Sequence, residues 1–116
     1  FQIKDDLFDY GRADVGKPTG NDIREKKMTL PLIYTLQHCD AATKRHLIRI
    51  FKQADKRKEE VNVVIETVQA HGGLQYAEER MKACRLEALR ILETFPDNEA
   101  RSHMARLVDY IIERSY

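Results

Sequence analysis

Apolar residues recur along most of the chain at the three- and four-residue spacing of amphipathic helices. Two stripes show this spacing most clearly: Val61, Val64, Ile65 and Val68, and then Met104, Leu107, Val108 and Ile111. Alternation with a period of two, which would indicate β-strands, is absent. The pattern therefore predicts an all-α protein, organised as a helical bundle.

Near the start of the chain, a helix and a loop are predicted before the main set of helices. Residues 1–10 have helical spacing, and four loop-forming residues follow within ten positions: Gly11, Gly16, Pro18 and Gly20. These residues predict a loop over residues 11–22. We divide the single domain into a helix (1–10), a loop extending to residue 28, and scaffold helices (29–116).

Capping and breaking residues set the expected limits of five helices in the scaffold. These are a helix from Thr29 and Pro31 to about Gln37, a second capped by Asp40, a third ended by Gly72 and Gly73, a fourth from about Leu74 to Phe95, and a fifth after the break at Pro96, Asp97 and Asn98. Thr29 is expected to cap its helix, with Pro31 in the first turn, where a missing N–H is harmless.

Composition excludes several classes of function. Lys and Arg number 20 and Asp and Glu number 19, so the net charge of +1 argues against a nucleic-acid binder. No apolar stretch is long enough to enter a membrane as a spanning helix. Cys39 and Cys84 lack paired spacing, which predicts reduced thiols and a cytoplasmic location. No capping residue precedes Phe1, so we expect the sequence to be the tail of a longer protein.

The first helix carries a cluster of carboxylates. Asp5 and Asp9 are four residues apart and share one helix face, and Asp6 lies about 100° round the axis. Mg²⁺ binds through a few carboxylates and completes its coordination with water and substrate phosphates. The cluster therefore predicts a magnesium site, with an acidic solvated surface as the alternative.

Lysines follow this cluster in the predicted loop. Lys17 lies between Gly16 and Pro18, and Lys26 and Lys27 come a few residues later. A lysine ammonium is a compact charge suited to phosphate oxygens. Acids that hold Mg²⁺, followed by lysines, predict a cradle for a diphosphate. The alternative is an exposed connection with its lysines in solvent.

In order, the segments F-Q-I-K-D-D-L-F-D, G-K-P-T-G-N-D-I and K-K-M-T-L-P resemble the C-terminal part of the trans-isoprenyl diphosphate synthases. That family has F-Q-x-x-D-D-x-x-D, then G-K-x-x-G-x-D-[LI], then G-K-x-T-L-P. Lys26 stands where the family commonly has glycine. The closing residues 109–114, D-Y-I-I-E-R, look like the long-chain polyprenyl branch.

This resemblance implies an all-α isoprenoid-synthase-type fold around a central cavity. It implies an enzyme that joins an allylic diphosphate to isopentenyl diphosphate and releases pyrophosphate, with Mg²⁺ as cofactor. The family has an earlier aspartate-rich motif on another helix, and no second D-D-x-x-D occurs in this sequence. We therefore expect the chain to carry half of the metal site and to be inactive alone.

The resemblance also implies roles for seven side chains among residues 1–27. They are Asp5, Asp6 and Asp9 as Mg²⁺ ligands, Gln2, Lys17 and Lys27 as ligands of the allylic diphosphate, and Phe1 as a wall of the cavity near the reacting tails. Asp5 is expected to make direct metal contact. With Lys17 and Lys27 it would stabilise charge on the departing pyrophosphate.

Two other functions remain open on the sequence. One is a catalytically silent helical subunit that pairs with an active synthase, and the other is a generic helical interaction module. Silent subunits tend to lose such aspartates, so the presence of Asp5, Asp6 and Asp9 favours the enzyme. Part of the scaffold stripes should face missing helices, and for that reason we expect a homodimer.

Overall fold

The computed structural model describes residues 1–11 and 19–114. Within these ranges the chain forms helices and no strand, which confirms the predicted all-α class. The seven helices are α1 (Gln2–Phe8), α2 (Asn21–Arg24), α3 (Leu30–His38), α4 (Ala41–Lys52), α5 (Lys58–Ala70), α6 (Gly73–Leu92) and α7 (Glu99–Glu113). Across the same residues, none of the helices has both the length and the apolar character needed to cross a bilayer.

Two of the helix starts are capped by side chains, as their sequences predict. The Asp40 carboxylate accepts hydrogen bonds from the backbone N–H groups of Ala42 and Thr43, both at 2.9 Å, and so begins α4. The Asn98 side chain accepts from the N–H of Arg101 at 2.9 Å and begins α7. Each cap satisfies donors that the first helical turn cannot pair internally.

Thr29 takes the predicted N-cap position of α3, with Pro31 in the first turn, but its hydroxyl has another partner. The Thr29 side chain makes no capping bond. Instead its hydroxyl is 2.8 Å from the Tyr10 hydroxyl, and both residues are buried. A buried phenol needs a hydrogen-bond partner, and Thr29 supplies one at the junction of α1 and α3.

The loop predicted over residues 11–22 is too long at its C-terminal end. α2 begins at Asn21, inside the predicted loop of residues 11–22, because one turn of helix is too short to show a periodic pattern. Burial explains the turn, since Ile23 is completely buried. At the other end of the chain, α6 ends at Leu92 rather than at Phe95.

The hydrophobic core lies among α1 to α5 and the first half of α6. The buried apolar side chains extend from Leu7 to Met81 along the chain. Helix α5 is central, since Val61, Val64 and Val68 are each no more than 1% exposed. The stripe predicted for α5 is therefore the middle of the core. We call the described residues up to 81 the body.

At Gly73, α6 approaches α3 closely. A Cβ atom at this position would lie 2.6 Å from the Pro31 carbonyl oxygen and 2.7 Å from the Thr35 hydroxyl. The preceding Gly72 has a φ of +75° and open space around it. Gly72 therefore serves the turn between α5 and α6, whereas Gly73 permits contact between two helices.

Residues 82–113 form an arm made of the second half of α6 and all of α7. Helix α7 buries none of its residues, and Met104 and Leu107 are 50% and 49% exposed. An ion pair joins the two helices of the arm, with 2.7 Å between Arg85 Nη2 and Asp109 Oδ1. The arm thus has the amphipathic pattern of the body without its burial.

Candidate active site

Helix α1 places the three aspartates of the motif in three different environments. Asp6 is buried, whereas Asp5 and Asp9 are partly exposed. Asp9 is the C-terminal cap residue of α1, so it also lies where the chain leaves the helix. The three carboxylates therefore differ in exposure and in position along α1, although about one helical turn contains them all.

The Asp9 carboxylate fastens the far end of the loop to α1. One of its oxygens accepts from the N–H of Asn21 at 2.8 Å and the other from the N–H of Asp22 at 3.0 Å. The Asp9 carbonyl also accepts from the N–H of Gly20 at 2.8 Å. Burial raises the pKa of Asp9, and the negative charge of Asp22 adds to the rise, while these backbone bonds lower it.

Asp6 lies below the surface and binds Gln2. The Gln2 amide nitrogen donates to Asp6 Oδ1 at 2.8 Å, one helical turn away. Burial raises the pKa of Asp6, and the bond from Gln2 partly offsets the rise. Gln2 is thus exposed at the start of α1 and at the same time contacts an aspartate of the motif.

Asp5 forms an ion pair with the last described residue of the chain. Arg114 Nη2 donates directly to Asp5 Oδ1 across 109 positions of sequence. The Arg114 guanidinium lies 4.4 Å from the ring centre of Phe1 and 5.6 Å from that of Phe8. The end of α7 is therefore attached to α1 by charge and by contact with aromatic faces.

Lys27, which follows α2, lies in the same region as these carboxylates. Its ammonium is 2.6 Å from Glu25 Oε2 and 3.4 Å from Asp22 Oδ1. Hydrogen bonding to Glu25 raises the pKa of Lys27. The neighbouring Lys26 has a φ of +58°, in the left-handed region. This backbone conformation favours glycine, which is the residue that the resembled family commonly has there.

A cleft of about 510 Å³ brings these groups together. Its lining residues are Phe1, Gln2, Asp5, Phe8, Asp9, Asn21, Asp22, Lys27 and Arg114. Asp5, Asp9 and Lys27 were predicted from sequence to face one another, and the structure places all three on this cleft. Lys17 lies outside the described residues.

Next to the cleft is an apolar groove of about 410 Å³ where α1, α6 and α7 meet. Its apolar walls are Phe1, Ile3, Met81, Cys84, Ala88, Val108, Ile111 and Ile112. Phe1 and Gln2 line both the groove and the cleft. A charged cleft beside an apolar groove suits a ligand with a polar head and a hydrocarbon tail.

The fit of Mg²⁺ can be judged from the donors of the cleft. Within the described part of the chain, no group of three or more His, Cys, Asp or Glu side chains is arranged to hold a metal ion. Asp9 accepts backbone N–H bonds through both oxygens and Asp6 is buried against Gln2, whereas Asp5 is bonded to the Arg114 side chain, so Asp5 is the motif carboxylate that a side-chain movement alone would free. Mg²⁺ commonly takes one or two carboxylates and completes its shell with phosphate oxygens. The donor set fits a metal held together with a diphosphate.

Sequence reasoning missed two members of the cleft that matter for its charge. Asp22 belongs to the G-x-D segment and pairs with Lys27, so the motif itself held that signal. Arg114 was recognised only as part of a closing segment, and nothing local links it to Asp5. A pair separated by 109 residues is visible only in the folded chain.

Comparison with known proteins identifies relatives of this arrangement. Residues 1–68 match the family described as "Polyprenyl synthetase". The chain is 30% identical over 118 residues to an octaprenyl diphosphate synthase of Haemophilus influenzae. That alignment covers 100% of this chain and 36% of the relative, so the chain spans about a third of the protein it matches.

Two solved structures have the same arrangement of helices. A decaprenyl diphosphate synthase from Rhodobacter capsulatus superposes with a TM-score of 0.88 at 31% identity, over 99% of this chain and 36% of that one. A polyprenyl synthase from Caulobacter crescentus, solved in complex with calcium and isoprenyl diphosphate, superposes with a TM-score of 0.84 at 26% identity. That match covers 99% of this chain and 36% of the neighbour.

Proposed function

Since the chain belongs to the polyprenyl synthetase family, we propose that it forms the allylic diphosphate side of a prenyltransferase active site. The complete enzyme joins an allylic diphosphate to isopentenyl diphosphate and releases pyrophosphate. The described residues supply one wall of this site, and the other wall belongs to the remaining two thirds of the enzyme.

The observation that carries the proposal is that the charged cleft and the apolar groove lie side by side and share two lining residues. Phe1 and Gln2 line both cavities, so a ligand could place its diphosphate beside Lys27 and its prenyl chain along the groove. Phe1 would then lie near the carbon that loses the diphosphate.

Each polar residue of the cleft has a distinct part in this proposal. Lys27 and Arg114 stabilise negative charge on the departing diphosphate, and the Gln2 amide orients one of its oxygens. Asp9 keeps Asn21 and Asp22 in place through its hydrogen bonds. Asp5 is the principal protein ligand for Mg²⁺, with Asp9 at the edge of the site and Asp6 fixing Gln2 from below. When bound, Mg²⁺ neutralises charge on the leaving group.

The neighbour from Caulobacter crescentus supports this assignment, because it was solved with both calcium and isoprenyl diphosphate. Calcium and magnesium are both oxygen-seeking divalent cations, although calcium takes more ligands at longer distances. The two proteins share a fold over 99% of this chain, so a protein that contains this fold binds a divalent cation and an isoprenyl diphosphate.

The proposal is tested in the complete enzyme with Asp5→Asn, using Asp109→Asn as the matched control. Both aspartates bind an arginine, yet Asp109 lies in the arm and pairs with Arg85. Turnover is measured with a radiolabelled allylic diphosphate, isopentenyl diphosphate and Mg²⁺. We expect Asp5→Asn to lower turnover by about 10²- to 10³-fold and Asp109→Asn to leave it within about threefold of wild type.

Equal losses in the two variants, with thermal melting showing both folded, would contradict the catalytic assignment. The isolated 116-residue chain serves as a further sample in the same assay. We expect it to form no elongated product, because it carries one D-D-x-x-D motif and spans about a third of its relatives. Elongation at a rate near that of the complete enzyme would refute this expectation.

A second candidate function, a helical subunit that associates with another synthase chain, is favoured by the arm. Its exposed Met104 and Leu107 suit a partner surface, and the homodimer predicted from the sequence is our preferred assembly.

We also propose that the enzyme is located in the cytoplasm. The free thiols of Cys39 and Cys84 support this location.

A further inference from the structure

We propose that the ion pair between Arg114 and Asp5 prevents a divalent cation from binding to Asp5 on its own, and that this pair breaks when the cation binds together with a diphosphate. We call this ion pair the latch. This inference rests on the function proposed above and concerns the order of events at that site. Arg114 is a positioning residue before the ligand binds, and it becomes a diphosphate contact afterwards.

The contacts of Arg114 hold it firmly against α1 and the end of α7. Its side chain is 11% exposed, and it donates to Asp5, whose own side chain is 39% exposed. The Phe1 and Phe8 rings lie near its guanidinium, and Nε donates to the Ile111 carbonyl at 3.3 Å. A guanidinium held in this way competes directly with a metal ion for the same carboxylate.

The charges around the cleft lead to the same conclusion. Asp5, Asp9 and Asp22 contribute three negative charges, and Lys27 and Arg114 contribute two positive charges. The residues that line the cleft thus sum to one net negative charge, and the Arg114 guanidinium beside Asp5 repels a bare divalent cation. A bare diphosphate meets a net negative wall. When both bind together, the cation neutralises the carboxylates, and the diphosphate pairs with Lys27 and Arg114.

The other motif aspartates cannot take over from Asp5 without breaking the structure around them. Both oxygens of Asp9 accept backbone N–H bonds that fix the start of α2. Asp6 is buried and bound to Gln2. Release of Asp5 from Arg114 is thus the least disruptive way to provide a metal ligand, and the freed guanidinium has the fork geometry that phosphate oxygens accept.

The test uses the complete enzyme with Arg114→Gln, Arg114→Lys and Arg90→Gln. Arg90 pairs with Glu87 on the exposed surface of α6, so its replacement removes the same charge far from the cleft. Binding of Mn²⁺ alone is followed by electron paramagnetic resonance. Binding of ³²P-labelled inorganic pyrophosphate is followed by equilibrium dialysis in excess Mg²⁺, and both are measured at low ionic strength, where charge effects are least screened.

We expect Arg114→Gln to tighten binding of Mn²⁺ alone by about tenfold, because a repelling charge and a competitor are both removed. The same variant should weaken pyrophosphate binding in Mg²⁺ by a similar factor. Arg114→Lys keeps the charge and should stay within about threefold of wild type for Mn²⁺. Arg90→Gln should change neither measurement.

Unchanged or weaker Mn²⁺ binding in Arg114→Gln, with melting temperatures showing that the variant is folded, would overturn the latch. The wild-type enzyme and Asp5→Asn separate this failure from a failure of the proposed function. If Asp5→Asn binds pyrophosphate in Mg²⁺ as well as wild type does, the proposed function fails and the latch fails with it. If Asp5→Asn loses that binding, the Arg114 variants decide the latch alone.

Discussion

The body and the arm carry the same kind of hydrophobic pattern with opposite outcomes. In α5 of the body, Val64 and Val68 are completely buried, whereas Met104 and Leu107 at similar spacing in α7 are half-exposed. Helix α5 is surrounded by other helices, and α7 packs mainly along α6. An apolar stripe therefore predicts which face of a helix will be covered, but the covering element must be present for burial to follow.

Matched leucine substitutions should give the largest contrast between the two regions. Leu32 in α3 is 1% exposed, and its replacement by alanine should lower the free energy of unfolding by about 2–5 kcal/mol through lost burial and a cavity. Leu107→Ala should cost less than about 1 kcal/mol. Urea unfolding of the 116-residue chain at low micromolar concentration measures both. Similar losses would mean that α7 is covered in solution.

The close contact in the body between α3 and the start of α6, the helix that continues into the arm, should give the next largest effect. Gly73→Ala places a methyl group against the Pro31 carbonyl oxygen, and we expect it to destabilise the chain by about 1–3 kcal/mol. Gly72→Asn is the control, because asparagine tolerates a positive φ and the space around Gly72 is open. The control should cost less than Gly73→Ala in the same urea titration, and the reverse order would refute the close approach of α6 to α3.

Self-association should follow from the exposed face of α7. We expect sedimentation of the isolated chain at high concentration to show a dimer, because exposed apolar surface is removed from water by pairing. Leu107→Glu should shift the chain to a monomer, and Asn62→Glu, at an exposed position of α5, should not. A folded wild-type monomer at the highest concentration reached would contradict the prediction.

The smallest effect is expected at Lys26 in the body. Its φ of +58° costs a side-chain-bearing residue free energy that glycine does not lose. Lys26→Gly should therefore stabilise the chain by about 0.5 kcal/mol, after allowance for the greater freedom of glycine in the unfolded state. Lys26→Ala removes the same charge without relieving the backbone, so it should give no gain. Equal thermal midpoints for the two variants would argue against the conformational explanation.

Much of the fold was predictable because its signals are local. Asp40 and Asn98 cap the helices that their sequences predict. Thr29 takes its predicted N-cap position, whereas the partner of its hydroxyl, Tyr10, lies nineteen residues away and has no local signal. The four-residue helix α2 was missed because its formation depends on burial of Ile23 rather than on a repeating pattern.

The candidate site divides in the same way. Asp5, Asp9 and Lys27 could be grouped because short motifs with fixed spacing contain them, and the structure places them on one cleft. Arg114 could not be grouped with them, since its pairing with Asp5 requires α7 to lie across α1. The magnesium and diphosphate roles of these residues stay predictions until binding is measured.

Cys84 gives the apolar groove a chemical reporter of its own. This thiol is exposed and lines the groove beside Phe1 and Met81, whereas Cys39 is only partly exposed. A maleimide dye attached to Cys84 would sense both occupation of the groove and coverage of the arm by another chain. The protein thus carries a natural labelling position where the body, the arm and the prenyl chain of the proposed ligand would meet.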